Sequence, residues 1–183
     1  NMTVLAPASF AELEVMLERA LFRLEGPVAV RYPRGGEGRY VGTAGEEPAS
    51  VLRSGDDITL ASYGTEINEV LEAADLLEKQ GIRAEVVKLN QLTPLVPEVI
   101  ERSVRKTGTL LFAEEQGARG SVGQRLAARL ELSGILGKTV LVNCGKGFVP
   151  HGAASMLKRD LSLDGMGICK KALEVLGRVQ TET

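Results

Sequence analysis

A short segment around residue 34 has the residue types of an anion-binding loop. Pro33-Arg34-Gly35-Gly36 follows a segment of β-branched and apolar character, residues 28–32, that is typical of a short buried strand. The planar guanidinium of Arg34 can hold a phosphate or carboxylate through two parallel hydrogen bonds, and the glycines allow a ligand to approach the backbone. Because open α/β sheets bind ligands at the carboxyl ends of their strands, this position favours a ligand contact. The structural alternative is an ion pair of Arg34 with a nearby carboxylate such as Glu37.

A second polar segment combines two carboxylates with spaced glycines. Glu114 and Glu115 follow a predicted strand, and Gly117, Gly120 and Gly123 lead into a predicted helix. A dinucleotide-binding fingerprint needs its first two glycines separated by a single residue, which is not the spacing found here. We therefore expect the glycines to permit close packing, and the carboxylates to lie near a helix N-terminus, which favours negative charge.

Few metal sites or catalytic triads can be built from this sequence. His151, the only histidine, lies in the turn Phe148-Val149-Pro150-His151-Gly152. Zinc sites draw on clusters of Cys and His, and acyl-transfer triads place a His beside a nucleophile. We therefore expect no metal site and a structural hydrogen-bonding role for His151. Cys144 and Cys169 lack Cys-x-x-Cys spacing and are expected to be reduced thiols.

The elements that must position these residues begin with a partial α/β segment. Residues 1–7 and 28–32 are typical of short strands. Ser9 and Glu12 have the spacing of a capping box, and the apolar residues that follow predict a helix over residues 10–24. We assign residues 1–40 to the end of one domain and residues 41–56, which are rich in Gly, Glu, Pro and Ser, to a linker.

Residues 57–183 alternate between apolar runs and amphipathic stretches, as in a parallel α/β domain. Strands are predicted at residues 58–62, 84–89, 109–113 and 139–143, helices at residues 66–80, 98–106 and 121–132, and two further helices at the end. Continuous apolar strands indicate a sheet that is covered on both faces and linked by right-handed crossovers. The predicted fold is therefore a three-layer α/β/α sandwich with a mostly parallel sheet, preceded by the partial α/β segment.

Composition narrows the classes of function. The chain has 183 residues, of which 44 % are hydrophobic and 25 % charged, as in a globular protein. Lys and Arg total 22 against 24 Asp and Glu, so we expect no nucleic-acid partner. No apolar run reaches the ~20 residues that a membrane-spanning helix needs, and we expect a cytoplasmic location without membrane contact.

Taken together, these motifs resemble one family, 1-deoxy-D-xylulose-5-phosphate synthase. Residues 26–35 are similar to the end of its pyrimidine-binding domain, and Asn1-Met2 with Ala6-Pro7 match the strand and turn before that end. Markers of its transketolase-type C-terminal domain are, in order, similar to residues 61–65, Glu114-Glu115, residues 148–152, and Leu163-Asp164 with Gly167-Ile168. Ser121 follows Gly120, where the family usually has two adjacent glycines.

The resemblance implies a homodimeric transferase that depends on thiamine diphosphate and Mg²⁺. Such an enzyme condenses pyruvate with glyceraldehyde 3-phosphate, with loss of carbon dioxide, in the biosynthesis of isoprenoid, thiamine and pyridoxal precursors. Arg34 matches the family arginine that binds the substrate phosphate. Arg31 and Tyr32 are expected to support that site, with a direct substrate contact as their alternative role.

The family's cofactor site and catalytic residues belong to sequence that this chain does not contain. The resemblance therefore implies a C-terminal fragment that is inactive alone and binds no cofactor or metal. We also expect residues 1–40 to be partly disordered or re-paired without the rest of their domain, because one helix and two short strands bury little apolar surface.

Two alternatives remain open. A transketolase, or the β subunit of a 2-oxoacid dehydrogenase, has a C-terminal domain of the same architecture. The chain could also be a non-catalytic dimerisation module.

Overall fold

The computed structural model describes residues 1–43 and 46–178, and it begins with a strand–helix–strand unit. Strand β1 (Thr3–Leu5) leads into helix α1 (Phe10–Phe22), which returns to strand β2 (Val28–Val30). The two strands pair in parallel, with Val4 opposite Ala29. The predicted helix is confirmed, although it ends two residues earlier than residue 24.

The start of α1 is fixed by two side chains. Ser9 is the N-cap, and its hydroxyl accepts the backbone N–H of Glu12 at 3.1 Å. The carboxylate of Glu12 accepts the N–H of Ala8 at 2.8 Å, one residue before the position that a capping box would use. Glu12 is therefore turned inward, toward the rest of the molecule.

The second part of the chain alternates strands and helices, as predicted. Its elements are β3 (Ala49–Arg53), β4 (Ile58–Tyr63), α2 (Ile67–Glu78), β5 (Ala84–Leu89), β6 (Gln91–Thr93), α3 (Glu98–Thr107), β7 (Thr109–Ala113), α4 (Val122–Leu132), β8 (Lys138–Val142), α5 (Ala154–Asp160) and α6 (Gly165–Leu176). A 3-10 turn, Gly64–Glu66, precedes α2. Asp164 caps α6 at its start, and Gly177 ends it with φ +68°.

A five-stranded sheet with the order β3-β5-β4-β7-β8 forms the centre of this part. Four of its strands are parallel, and β3 runs antiparallel to β5. Successive residues of β4 face opposite sides, so Leu60 packs into the core with α2 and α6, whereas Ala61 packs into the core with α3 and α4. The predicted three-layer sandwich with a mostly parallel sheet is confirmed.

Two short strands were missing from the sequence-based prediction. Residues 49–53 were assigned to a linker of residues 41–56, but they form β3, an edge strand in which Ser50 lies opposite Lys88 of β5. Strand β6 pairs antiparallel with β1, with Val4 opposite Thr93. The prediction failed because an edge strand is covered on one face and a three-residue strand is too short to show periodicity.

The small sheet, with the order β2-β1-β6, therefore contains strands from both predicted domains. The domain boundaries at residues 40 and 57 stay a prediction, as does the partial disorder expected for residues 1–40. In the structure, residues 1–40 contact the second part through the β1–β6 pairing and through helix α1.

A buried ion pair attaches α1 to the large sheet. Glu12 Oε2 lies 2.8 Å from Lys88 Nζ, and both side chains are fully buried. The Tyr40 hydroxyl donates to Glu12 Oε1 at 2.7 Å, and Lys88 also donates to Asn90. Burial raises the pKa of Tyr40, and Glu12 raises it further, so the phenol remains a donor. Helix α1, the segment around Tyr40 and strand β5 thus share one polar cluster.

Candidate functional site

The carboxyl ends of four strands meet at one cavity of about 280 Å³. Strands β1 and β2 reach it from the small sheet, and β4 and β7 from the large one. It is lined by Ala6, Arg31, Tyr32, Pro33, Tyr63, Gly64, Thr65, Glu66 and Glu115. The cavity therefore lies where α/β proteins place their ligands.

Arg31 brings a positive charge to this cavity. It directly follows β2, and its backbone N–H donates to the carbonyl of Leu5 at 2.8 Å, which extends the pairing of β2 with β1. Its guanidinium carbon lies 5.1 Å from the centroid of the Tyr63 ring, within the range of a cation–π contact. The small sheet supplies the charge, and the large sheet supplies the aromatic face.

Tyr63 is the last residue of β4 and only 3 % of its surface is exposed. Its hydroxyl lies 3.1 Å from Glu114 Oε2, to which it donates, and 3.2 Å from Gln116 Oε1. Burial raises the pKa of Tyr63, and the charge of Glu114 raises it further. The residue therefore stays a neutral phenol that donates a hydrogen bond.

Glu114 is held by the start of helix α4. Its carboxylate accepts the N–H of Val122 at 3.1 Å and the N–H of Gly123 at 2.9 Å. These N–H groups have no partner within the helix, and the helix dipole favours a negative charge at this end. The predicted carboxylate near a helix N-terminus is confirmed for Glu114.

Gly123 is needed for that approach. A Cβ atom at this position would lie 2.7 Å from Glu114 Oε1 and 2.9 Å from a methyl group of Leu141. The predicted close packing by glycine is confirmed here.

Three carboxylates surround one ammonium beside the cavity. Lys158 Nζ lies 2.8 Å from Glu66, 2.8 Å from Glu115 and 3.3 Å from Glu69. Burial raises the pKa of Glu66 to about 9, although the charge of Lys158 opposes the shift. Burial acts in the same direction on Glu115, but the hydrogen bond from Lys158 leaves the pKa of Glu115 below its ordinary value. Near neutral pH, Glu66 is therefore neutral and Glu115 is charged.

The residues predicted from the sequence are distributed unevenly around this site. Arg31 and Tyr32 line the cavity, whereas Arg34 is exposed on the segment after it and is not among the lining residues. Within residues 1–43 and 46–178, the Arg34 side chain forms no ion pair, with Glu37 or with any other carboxylate. His151 is exposed in the turn before α5.

Three residues of the site escaped the sequence-based prediction. Tyr63 was named as part of a family marker without a role of its own, and Glu66 and Lys158 were not named as site residues. Glu66 and Lys158 are 92 positions apart, so no local spacing connects them. A carboxylate in the turn that follows a buried strand, as in the case of Glu66 three residues after the end of β4, is the signal that could have identified it.

The described residues offer neither a metal site nor a membrane-spanning helix. Mg²⁺ takes oxygen ligands in near-octahedral geometry. In the part of the chain that the structure describes, no group of three or more His, Cys, Asp or Glu side chains could hold a metal ion, so these residues do not fit a magnesium diphosphate site. Nor does any helix among those described have the length and apolarity to cross a bilayer.

Curated proteins that are similar to this chain share one name, 1-deoxy-D-xylulose-5-phosphate synthase. The chain is 36 % identical over 183 residues to the 1-deoxy-D-xylulose-5-phosphate synthase of Heliobacterium modesticaldum, a match that covers 96 % of this chain and 28 % of the relative. The synthase of Gloeobacter violaceus is 36 % identical, with the same coverage, and that of Thermomicrobium roseum is 33 % identical, with 99 % of this chain and 30 % of the relative covered. The chain thus spans less than a third of these relatives.

Solved structures agree on the fold. An inactive β4 tetramer of a split-gene transketolase is 29 % identical, with a TM-score of 0.84, and the match covers 98 % of this chain and 58 % of that one. A transketolase mutant from Pichia stipitis is 18 % identical, with a TM-score of 0.69, and the match covers 97 % of this chain and 25 % of that one. This structure shares the fold.

A family model gives the assignment. The model described as the C-terminal domain of transketolase matches residues 47–168, which include β4, β7 and the acidic cluster around Lys158. The chain therefore belongs to the transketolase C-terminal domain family.

Proposed function

We propose that this chain is the C-terminal part of a 1-deoxy-D-xylulose-5-phosphate synthase. The intact enzyme, a transferase, would join pyruvate and glyceraldehyde 3-phosphate with loss of carbon dioxide. Identity of 33–36 % to synthases along nearly the whole chain supports this assignment. The single observation that supports a role for this chain itself is the position of Arg31, which lines a cavity where the strands of two sheets end.

The contribution proposed for this chain is to bind the phosphate of the substrate. Arg31 supplies a planar fork of donors, and the start of α2 adds the partial positive charge of a helix N-terminus. Because Glu66 is neutral near pH 7 and Glu115 is paired with Lys158, the carboxyl groups of the cavity repel an anion only weakly.

Arg34 and Tyr32 are proposed as further contacts of the same anion. Arg34 matches the family's phosphate-binding arginine, lies three residues beyond Arg31 and is exposed. Tyr32 lines the cavity and carries a hydroxyl donor. Arg31 is the stronger candidate because its side chain is already placed beside the cavity by Tyr63.

The cofactor is proposed to lie on polypeptide outside this chain. Thiamine diphosphate, held with Mg²⁺, supplies the carbanion chemistry of such synthases. The described residues do not fit its metal site. The role proposed for this chain is therefore restricted to binding and orienting the phosphorylated substrate, and the chain alone is proposed to be inactive.

The assignment can be tested by product analysis. The intact protein that carries this chain should form deoxyxylulose 5-phosphate from pyruvate and glyceraldehyde 3-phosphate. The 183-residue chain alone should form no product and release no heat of binding when it is titrated with thiamine diphosphate. Product or tight cofactor binding with the chain alone would contradict the proposal.

A transketolase is the second candidate, because the split-gene transketolase chain superposes with a TM-score of 0.84. A transketolase would move a two-carbon unit between sugar phosphates and would release no carbon dioxide. Carbon dioxide release from labelled pyruvate therefore distinguishes the two candidates. Acyl transfer to a lipoyl partner would instead indicate a 2-oxoacid dehydrogenase β subunit.

The assembly is proposed to be a cytoplasmic homodimer, as the family resemblance implies. The mass of the intact protein in solution tests whether it is a dimer. A chain that dimerises on its own, in a protein without synthase activity, would favour the non-catalytic dimerisation module.

A further inference from the structure

We propose that Tyr63 is a positioning residue, which holds the guanidinium of Arg31 in the orientation that binds an anion. The inference rests on the proposed function of Arg31. A residue of the large sheet would thus order an arginine that follows a strand of the small sheet.

The contact between the two side chains is specific in its geometry. Arg31 lies just after β2 of the small sheet, and Tyr63 ends β4 of the large one. The guanidinium carbon is 5.1 Å from the ring centroid, so the positive charge faces the electron-rich side of the ring. A guanidinium has five N–H donors, and contact with the ring leaves donors available to an oxyanion.

Tyr63 is itself rigidly held. Its hydroxyl donates to Glu114, and Glu114 accepts the N–H groups of Val122 and Gly123 at the start of α4. The ring also lies against Phe112, with the centroids 6.1 Å apart and the planes tilted by 42°. A continuous set of contacts therefore leads from helix α4 to the guanidinium.

Such support matters because Arg31 is otherwise exposed. A free arginine side chain loses rotamer freedom when it binds an anion, and this loss weakens the affinity. The Tyr63 ring removes much of that freedom before the anion arrives. The hydroxyl of Tyr63 acts on the ring's orientation, and the ring makes the cation–π contact with Arg31.

The test uses arginine side-chain NMR of the 183-residue chain, with inorganic phosphate as the probe. The wild type is compared with Tyr63→Phe, which keeps the ring, with Tyr63→Leu, which removes it, and with Arg31→Ala. In the wild type and in Tyr63→Phe, the Nε–H proton of Arg31 should show an upfield ring-current shift. In Tyr63→Leu this shift should disappear.

The phosphate titration separates positioning from binding. A lost cation–π contact of about 0.5–1 kcal/mol corresponds to a dissociation constant raised about two- to fivefold, which is expected for Tyr63→Leu. Tyr63→Phe should stay within about twofold of the wild type, and Arg31→Ala should weaken binding at least about tenfold.

Each outcome decides one question. If Arg31→Ala leaves phosphate affinity unchanged, the proposed anion-binding role fails, whatever Tyr63 does. If Arg31→Ala weakens binding but Tyr63→Leu has wild-type affinity, the positioning inference alone is overturned. Should Tyr63→Leu fail to fold, the wild type still decides: an Arg31 signal without ring-current shift or contacts to the Tyr63 ring protons would overturn the inference.

Discussion

A single residue, Glu66, makes the stability of the protein depend on pH close to neutrality, because its carboxyl group stays protonated in the folded state. Burial raises its pKa to about 9, against an ordinary value of 4.5. Between these two values the folded state holds a proton that the unfolded state has lost. Stability must therefore fall as pH rises through this range, because the unfolded state binds fewer protons than the folded state.

Replacement of Glu66 by Gln should remove this dependence. Glu66→Gln keeps the shape of the neutral carboxyl group, so the free energy of unfolding should fall less steeply from pH 6 to pH 8 than in the wild type. The difference in slope should approach ~1.4 kcal/mol per pH unit. Urea unfolding at three pH values measures it.

Glu174→Gln is the matched control for this experiment. Glu174 is exposed and its pKa is lowered by its hydrogen bond with Lys171, so its removal should leave the slope between pH 6 and 8 unchanged. Parallel curves for the wild type and Glu66→Gln would contradict the prediction, because they would show that Glu66 is charged in the folded protein.

Sequence reasoning reached the site residues only in part. It singled out Pro33-Arg34-Gly35-Gly36 at the end of a strand, of which Pro33 lines the cavity, and it predicted the environment of Glu114. It ranked Arg34 above Arg31, because the neighbouring glycines are visible in the sequence while the Tyr63 ring beside Arg31 is not. Contacts such as Glu66 with Lys158 depend on the completed fold.

At the scale of elements, the buried pair of Glu12 and Lys88 determines how α1 meets the large sheet. Both side chains are fully buried and 2.8 Å apart. Removal of one partner leaves an uncompensated charge in the interior, which is far more destabilising than removal of both. The pair should therefore behave as a unit.

Lys88→Met alone should lower the free energy of unfolding by about 3–5 kcal/mol. The double variant Glu12→Leu with Lys88→Met should recover most of that loss. Lys171→Ala, which breaks the exposed pair with Glu174, should leave the free energy of unfolding nearly unchanged, because water screens exposed ion pairs. Chemical denaturation measures all three, and single and double variants of equal stability would disprove the coupling.

The elements themselves were predictable where burial is complete. Strands β5 and β7 have the predicted bounds, residues 84–89 and 109–113, because short and mainly apolar segments between two predicted helices are typical of buried parallel strands. Strand β3 was hidden in a polar stretch, and its Val51 is half exposed at the sheet edge. Lys88, a charged residue in the middle of β5, gave no local hint of its partner on α1.

At the scale of the whole molecule, the cavity forms where the carboxyl ends of strands from the two sheets meet. Strand β6 follows β5 of the large sheet after a single residue, and it pairs with β1 of the small sheet. This connection places the two sheets side by side. The family model covers residues 47–168, so Arg31 belongs to the part outside it, and Tyr63 to the part within. The site requires both parts together.

We propose that this cavity binds the phosphate of glyceraldehyde 3-phosphate through Arg31. The most direct measurement is the KM for glyceraldehyde 3-phosphate of the intact protein, compared between the wild type, Arg31→Ala, Arg34→Ala and the exposed control Arg105→Ala on α3. Arg31→Ala should raise this KM at least about tenfold and leave the KM for pyruvate within about twofold, Arg34→Ala should have a smaller effect, and Arg105→Ala should have none. An unchanged KM for glyceraldehyde 3-phosphate in Arg31→Ala would contradict the claim.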